Sequence, residues 1–282
     1  SLRSVLKQWV TEYNEENGTD YDLYTSGLRI YTTIDSRMQA YMEEAVEQHM
    51  KEQQKLFFEH WKGRNPWTDA EGREIPNFIE TQVRRLPYFN QLKKEHGEEY
   101  AWKMMKEPHK MKVFSWEGEK EVTMSTIDSL KYYKHFLRTG MVSMDPRNGH
   151  VKAWVGGINF KYFKYDHVKQ GARQPGSTFK PFVYLSALDK GFLTPCSQVV
   201  DQPIYFGLSD GVPGGWSPKN ADGKYSYRSL TLRQAIGESV NSVSAYIIKQ
   251  VKPKTVVEYA QKLGITTPLE AKPALSLGIS DV

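Results

Sequence analysis

A single cysteine, Cys196, among 282 residues excludes an internal disulfide. With no His or Asp pattern around it, Cys196 is expected to pack rather than to act as a nucleophile. No run of about eighteen apolar residues occurs and no signal-peptide pattern opens the chain, so the piece reads as soluble. The seven histidines never recur at three- or four-residue steps, and the usual metal-ligand spacings are missing. No metal or cofactor is expected. A dominant charge sign is lacking too: 38 basic against 33 acidic residues leave a formal net charge of +5. Through the most charged stretch, 93 to 112, the signs intermix, as on a solvated surface rather than a nucleic-acid patch. What remains, 39% hydrophobic and 25% charged, describes a globular chain long enough for one large or two small domains.

Leu28, Ile30, Thr32 and Ile34 alternate with Arg29, Tyr31 and Thr33, which predicts a strand. Asp35 then caps a helix in which Met38, Tyr41, Met42, Ala45, Val46 and His49 recur at helical steps to about Trp61, placing His49 on or beside the buried stripe. From Gly63 to about Met124, Pro66, Gly72, Pro76, Pro87, Gly97 and Pro108 punctuate short aromatic-bearing segments, which reads as an inserted subdomain. Its aromatics suit core packing better than a glycan-stacking face. Ser125 to Asp128 forms a capping-box-like start for a helix spaced by Ile127, Leu130, Tyr133 and Leu137 and ended by Gly140. A hairpin follows, Met141 to Met144 and Val151 to Val155 around the turn Asp145 to Gly149. This hairpin is expected to begin the sheet against which the next helix packs, giving an α+β class.

That next helix carries the chemistry. Residues 171 to 182 place Ser177 and Lys180 three positions apart where a helix opens, after a Pro-Gly turn and just before Pro181. Positions i and i+3 share a helix face, which sets a potential base beside a nucleophile. Ser-x-x-Lys alone is unspecific, and a second copy at Ser4 and Lys7 reads as the polar face of an N-terminal helix. A second constellation follows at Ser239 and Asn241, on a loop between helices, where hydroxyl and carboxamide can enter one cleft to relay a proton and hold a peptide group.

Ser-x-x-Lys followed by Ser-x-Asn, with Gly27 to Asp35, Asp145-Pro146 to Gly157, Arg173 to Phe182 and Trp216-x-Pro-x-Asn220, resembles the class A, bifunctional penicillin-binding proteins. The likeness covers about 23 to 50 and 125 to 282. It implies a penicillin-binding transpeptidase or serine β-lactamase-like fold, incomplete at the C-terminus. Residues 1–138 would be an interdomain linker region with an inserted subdomain at about 51–124, and 139–282 the first part of the transpeptidase domain. The implied activity is D,D-transpeptidation of peptidoglycan: Ser177 the acylated nucleophile, Lys180 the base, Ser239 a proton relay to the leaving group, and Asn241 a contact to Lys180 and the substrate backbone. The implied partners are D-Ala-D-Ala stem peptides, β-lactams and cell-wall synthesis proteins, on the periplasmic face of the inner membrane, with anchor and glycosyltransferase domain upstream. The family's third element, Lys-Thr-Gly, is missing, since Lys254-Thr255 is followed by Val256. The 282-residue piece is therefore expected to react slowly or not at all with penicillin, and a version extended past Val282 to label at Ser177. D,D-carboxypeptidase or β-lactamase-like hydrolysis and a non-catalytic cell-wall scaffold stand as alternatives.

Overall fold

A computed structural model describes residues 2–282, and the chain divides into two units, the first ending at Gln170 and the second running from Gly171 to Val282. The first unit opens with helix α1, Leu2–Asn17, on which Ser4 and Lys7 are exposed. The strand expected at 28 to 34 does not form. Among the described residues the segment reaches a hydrogen-bond partner only at its end, where the Thr33 hydroxyl donates to the Val151 carbonyl and Asp35 N to that of Lys152, at 2.6 and 2.9 Å. Without a neighbour along its length no ladder can build, and Ile30, Tyr31 and Ile34 stay exposed.

Helix α2, Ser36–His60, starts where expected, with the Asp35 carboxylate accepting from Arg37 N and Met38 N at 2.9 and 3.2 Å. Its buried stripe is Met42, Val46, Met50 and Gln54, strict four-residue steps. His49 is exposed, beside the stripe rather than on it. It lies about 100° of helix rotation from Met50, enough to leave a narrow stripe.

The stretch to Met124 folds as α3 (Phe78–Arg84), α4 (Pro87–His96), α5 (Glu98–Lys106) and an antiparallel hairpin of β1 (His109–Val113) and β2 (Lys120–Met124). Trp67 and Phe89 pack with Ile79, Val83, Leu92, Ala101 and Met105 into a core of their own. Phe114 joins Phe136 and Phe163 in a second cluster, so these aromatics fill space.

Ser125 caps α6, Thr126–Lys134, its hydroxyl accepting from Asp128 N at 3.1 Å. The helix stops six residues before Gly140 because Gln54 of α2, 1% exposed, takes over the backbone: its Nε2 donates to the His135 carbonyl and its Oε1 accepts from Leu137 N, at 2.9 and 2.8 Å. Gly140 serves instead as a close approach, where a Cβ would meet the backbone of Val168 at 2.9 Å.

Strands β3, Met141–Met144, and β4, Val151–Val155, form the expected hairpin, with a register shift between Ser143 and Met144. Among the described residues the sheet it was expected to begin has no third strand. The hairpin is a two-stranded sheet whose Ala153 and Val155 pack on Met42, Val46 and Met50 of α2. Gln39 completes β4's other edge, accepting from Trp154 N and donating to its carbonyl at 2.8 and 3.0 Å. The α+β class thus rests on separate two-stranded antiparallel sheets rather than one larger sheet.

The second unit runs through a 3-10 turn, Gly176–Phe179, into α7, Lys180–Asp189, which ends before Gly191 at φ 70°. Strands β5 (Gln198–Val200) and β6 (Ser229–Thr231) pair antiparallel, followed by α8 (Leu232–Gly237), α9 (Asn241–Val251) and α10 (Pro253–Lys262). Phe179, Val183 and Ala187 pack with Leu232, Ala235, Val243, Ile247, Ile248 and Val256. Lys254 and Thr255 open helix α10, so this Lys-Thr pair sits on no strand. Cys196 is exposed rather than packed, because it sits in the turn that Ser197 N closes onto the Thr194 carbonyl at 2.9 Å. Among the described residues no helix is long and apolar enough to cross a membrane.

Candidate active site

Two backbone features of the second unit set the site. Gly176, at φ 58°, turns the chain after Pro175 into the 3-10 segment, and the Lys180 N–H donates to the Ser177 carbonyl, which puts residues 177 and 180 on one edge of a tight turn. Ser239 lies between α8 and α9 at φ 55°, a left-handed conformation that costs a non-glycine residue about 1 kcal/mol or more. That conformation presents both the carbonyl and the hydroxyl of Ser239 to one group.

The group is the amine of Lys180. Its Nζ donates to the Ser239 carbonyl at 2.6 Å, the Ser239 hydroxyl at 3.0 Å and the Asn241 Oδ1 at 2.7 Å. Lys180 is 1% exposed, and burial pulls its pKa down from 10.5 to about 8. No carboxylate pairs with it among the described residues. The three contacts serve both protonation states. As an ammonium the group uses all three N–H bonds; as a neutral amine it keeps two of them and has a lone pair free to accept a proton.

Three of the four residues singled out in the sequence, Lys180, Ser239 and Asn241, therefore meet. Ser177 stands on the same turn and is exposed, and among the described residues its hydroxyl is not hydrogen-bonded to Lys180, whose N–H bonds go to the 239 to 241 corner.

Behind Asn241 lies a polar layer the sequence reading assigned no role. Asn241 Nδ2 donates to the Lys219 carbonyl at 2.8 Å, which fixes the amide so that its oxygen faces Lys180. Asn220 Oδ1 accepts from Asn241 N and Ser242 N at 3.0 and 3.2 Å, capping α9. Asn220 Nδ2 donates in turn to Asp201 Oδ1 at 2.8 Å. Asp201, 3% exposed, also accepts from the Ser242 hydroxyl at 2.6 Å and from the N–H and hydroxyl of Ser226 at 2.7 and 2.8 Å. Burial alone would raise its pKa, but these bonds outweigh it and hold the carboxyl at about 2. The signal available in sequence was Asn220, noted within Trp216-x-Pro-x-Asn220. A lone acidic residue after Val199 and Val200 gave no comparable pattern.

Residues 62–137 match the family described as penicillin-binding protein middle domain, and 139–274 the penicillin binding protein transpeptidase domain. A penicillin-binding protein 1A of Neisseria cinerea is 41% identical over 143 residues, covering 51% of this chain and 18% of the relative. One from Aquifex aeolicus is 29% identical over 274 residues, covering 92% of this chain and 35% of its own length. The structure of penicillin-binding protein 1A from Haemophilus influenzae shares the fold, with a TM-score of 0.60 at 23% identity over 99% of this chain and 44% of that one. The chain thus spans about a fifth to a third of the length of these curated relatives. With the middle and transpeptidase profiles together matching about three quarters of its residues, the chain belongs to the penicillin-binding proteins, of the class A type.

Proposed function

We propose that the protein carrying this chain is a serine-type D,D-transpeptidase that cross-links peptidoglycan stem peptides on the extracytoplasmic side of the inner membrane. Residues 139–282 contribute to the transpeptidase domain and 1–138 to the region that joins it to the rest of the protein. The observation that carries this reading is a buried lysine amine, its pKa lowered to about 8, held against Ser239 and Asn241 one turn from an exposed serine.

In the proposed reaction neutral Lys180 accepts the Ser177 proton as Oγ forms a bond to the penultimate D-Ala carbonyl. The tetrahedral oxyanion is met by backbone donors, the Ser177 N–H among them. As the C–N bond breaks, the proton held by Lys180 passes through the Ser239 hydroxyl to the leaving D-Ala nitrogen. A stem-peptide amine then takes the acyl group and Ser177 recovers its proton. Asn241 orients Lys180 and contacts the substrate backbone. A β-lactam presents the same kind of acyl group and would stop at the acyl-enzyme.

Intact-mass measurement of the full-length protein after penicillin exposure tests this. One adduct per chain is expected in the wild type and none in Ser177→Ala. An adduct surviving Ser177→Ala sinks the assignment of the nucleophile, and no adduct in the wild type favours a scaffold. Adding an acceptor amine to the reaction with a D-Ala-D-Ala peptide separates cross-linking from hydrolysis by the product formed.

A further inference from the structure

Lys180 and Asp201 are the only charged side chains that are buried among the described residues, and neither has an ion-pair partner. A lone buried carboxylate is costly, so its four hydrogen bonds need a use beyond packing. Their pattern supplies one. Asp201 draws the Nδ2 of Asn220 toward itself, which turns the Asn220 Oδ1 onto the first N–H groups of α9. The first residue of α9 is Asn241, whose Oδ1 holds the Lys180 amine. The same carboxylate oxygen also takes the hydroxyl of Ser242. A carboxylate only accepts, and together with the Lys224 carbonyl, which takes the same Nδ2 at 2.9 Å, it leaves the Asn220 amide one orientation. An amide at 201 would present a donor to one of these donors and weaken that bias, leaving the Lys224 carbonyl to hold Nδ2.

We propose that Asp201 is a positioning residue of the active site, acting through Asn220 to fix the start of α9 and so the placement of Asn241 against Lys180. This rests on the transpeptidase reading for its kinetic consequence but not for its structural one. The relay is built from an acceptor at 201, an amide at 220 and a helix start at 241, and it predicts its own rescue. Exchanging the two residues, Asp201→Asn with Asn220→Asp, keeps one donor facing one acceptor and leaves a carboxylate to cap α9, which a helix N-terminus favours, but it turns a carboxylate oxygen toward the Lys224 carbonyl, so the rescue is partial.

Two measurements test this. The first is hydrogen exchange at the side-chain amide of Asn241, followed by NMR in the isotope-labelled chain. Asp201→Asn is expected to speed it at least about tenfold, and the exchanged pair to recover part of that protection. The second is acylation of the full-length protein by a fluorescent penicillin. Asp201→Asn is expected to lower the acylation rate at saturation at least about tenfold, with apparent affinity within about threefold, and the exchanged pair to recover part of the rate. Val256→Ala, which opens the same core without touching the relay, controls for lost stability and is expected to keep the rate within about twofold. The proposal is overturned if Asp201→Asn leaves both readouts unchanged, if Val256→Ala at a similar loss of melting temperature slows acylation as much, or if the exchanged pair is no better than either single variant. Should Asp201→Asn fail to fold, the exchanged pair against Asn220→Asp alone decides the same point. A wild type that penicillin does not acylate removes the transpeptidase reading, and amide exchange at Asn241 then decides the positioning role by itself.

Discussion

Lys180 is a cation where the packing would prefer none, and its titration should be visible in stability. The folded chain releases the proton near pH 8 while the unfolded chain holds it to about 10.5. Between those values the unfolded state binds more protons, so stability rises with pH; below about 8 both states are charged and the folded one bears the full burial cost. The melting-temperature advantage of Lys180→Met over wild type should therefore shrink between about pH 7 and pH 9.5, by the equivalent of roughly 2 kcal/mol. A constant difference would mean that the amine is not desolvated. Asp201 acts in the opposite sense. Its folded pKa is about 2 against 3.8 unfolded, so its stabilisation is whole above 3.8 and is lost as pH falls through 2. Urea titrations of wild type and Asp201→Asn should converge by about 2 kcal/mol as pH drops from about 5 to about 2.

Elements in this chain end where another element claims their backbone. Helix α6 stops at Lys134 because Gln54 satisfies the groups that a further turn would have used. Gln54→Leu keeps the volume but leaves a carbonyl and an N–H without partners, and is expected to cost about 2 to 4 kcal/mol in urea unfolding. A loss under about 0.5 kcal/mol would show that α6 ends for its own reasons. The turn before Ser177 is held in a similar way. Gly176 N donates to the Gly278 carbonyl at 3.3 Å, and Arg173 and Val282 exchange two backbone bonds at 3.3 and 3.1 Å. Gly278, at φ 66°, lies so close that a Cβ would collide with the Gly176 backbone. Gly278→Ala is expected to destabilise the second unit by about 1 to 3 kcal/mol and to slow penicillin acylation, because the displaced turn carries Ser177, the proposed nucleophile. Acylation at the wild-type rate would separate that turn from the chemistry.

At the scale of the whole chain, each unit has its own buried clusters, with Val83 central to one and Ile247 to another. Val83→Ala should therefore weaken hydrogen-exchange protection mainly in peptides from 78–105, and Ile247→Ala mainly in those from 232–262. Loss spread evenly over both would mean that the cores unfold together. The hairpin at 141–155 was legible because its turn residues and alternation are local, and α2 because Asp35 and a four-residue stripe announce it. The strand at 28–34 and the end of α6 were misread because both depend on partners far along the chain, Lys152 in one case and Gln54 in the other. Cys196 is exposed where packing was expected because hydropathy assigns an environment without regard to the turn that carries the residue.

The chain's own order of residues determined that Ser177 and Lys180 would share one turn, since three-residue spacing after Pro-Gly is a local geometric fact. It also determined that Ser239 and Asn241 would lie at a break between helices. That the Lys180 amine meets Ser239 and Asn241, across about sixty residues of chain, was decided by the packing of α7 on α8 and α9. Only tertiary structure could supply Asp201 and Asn220, because a buried polar network is specified by which donors face which acceptors, and no short-range pattern encodes that.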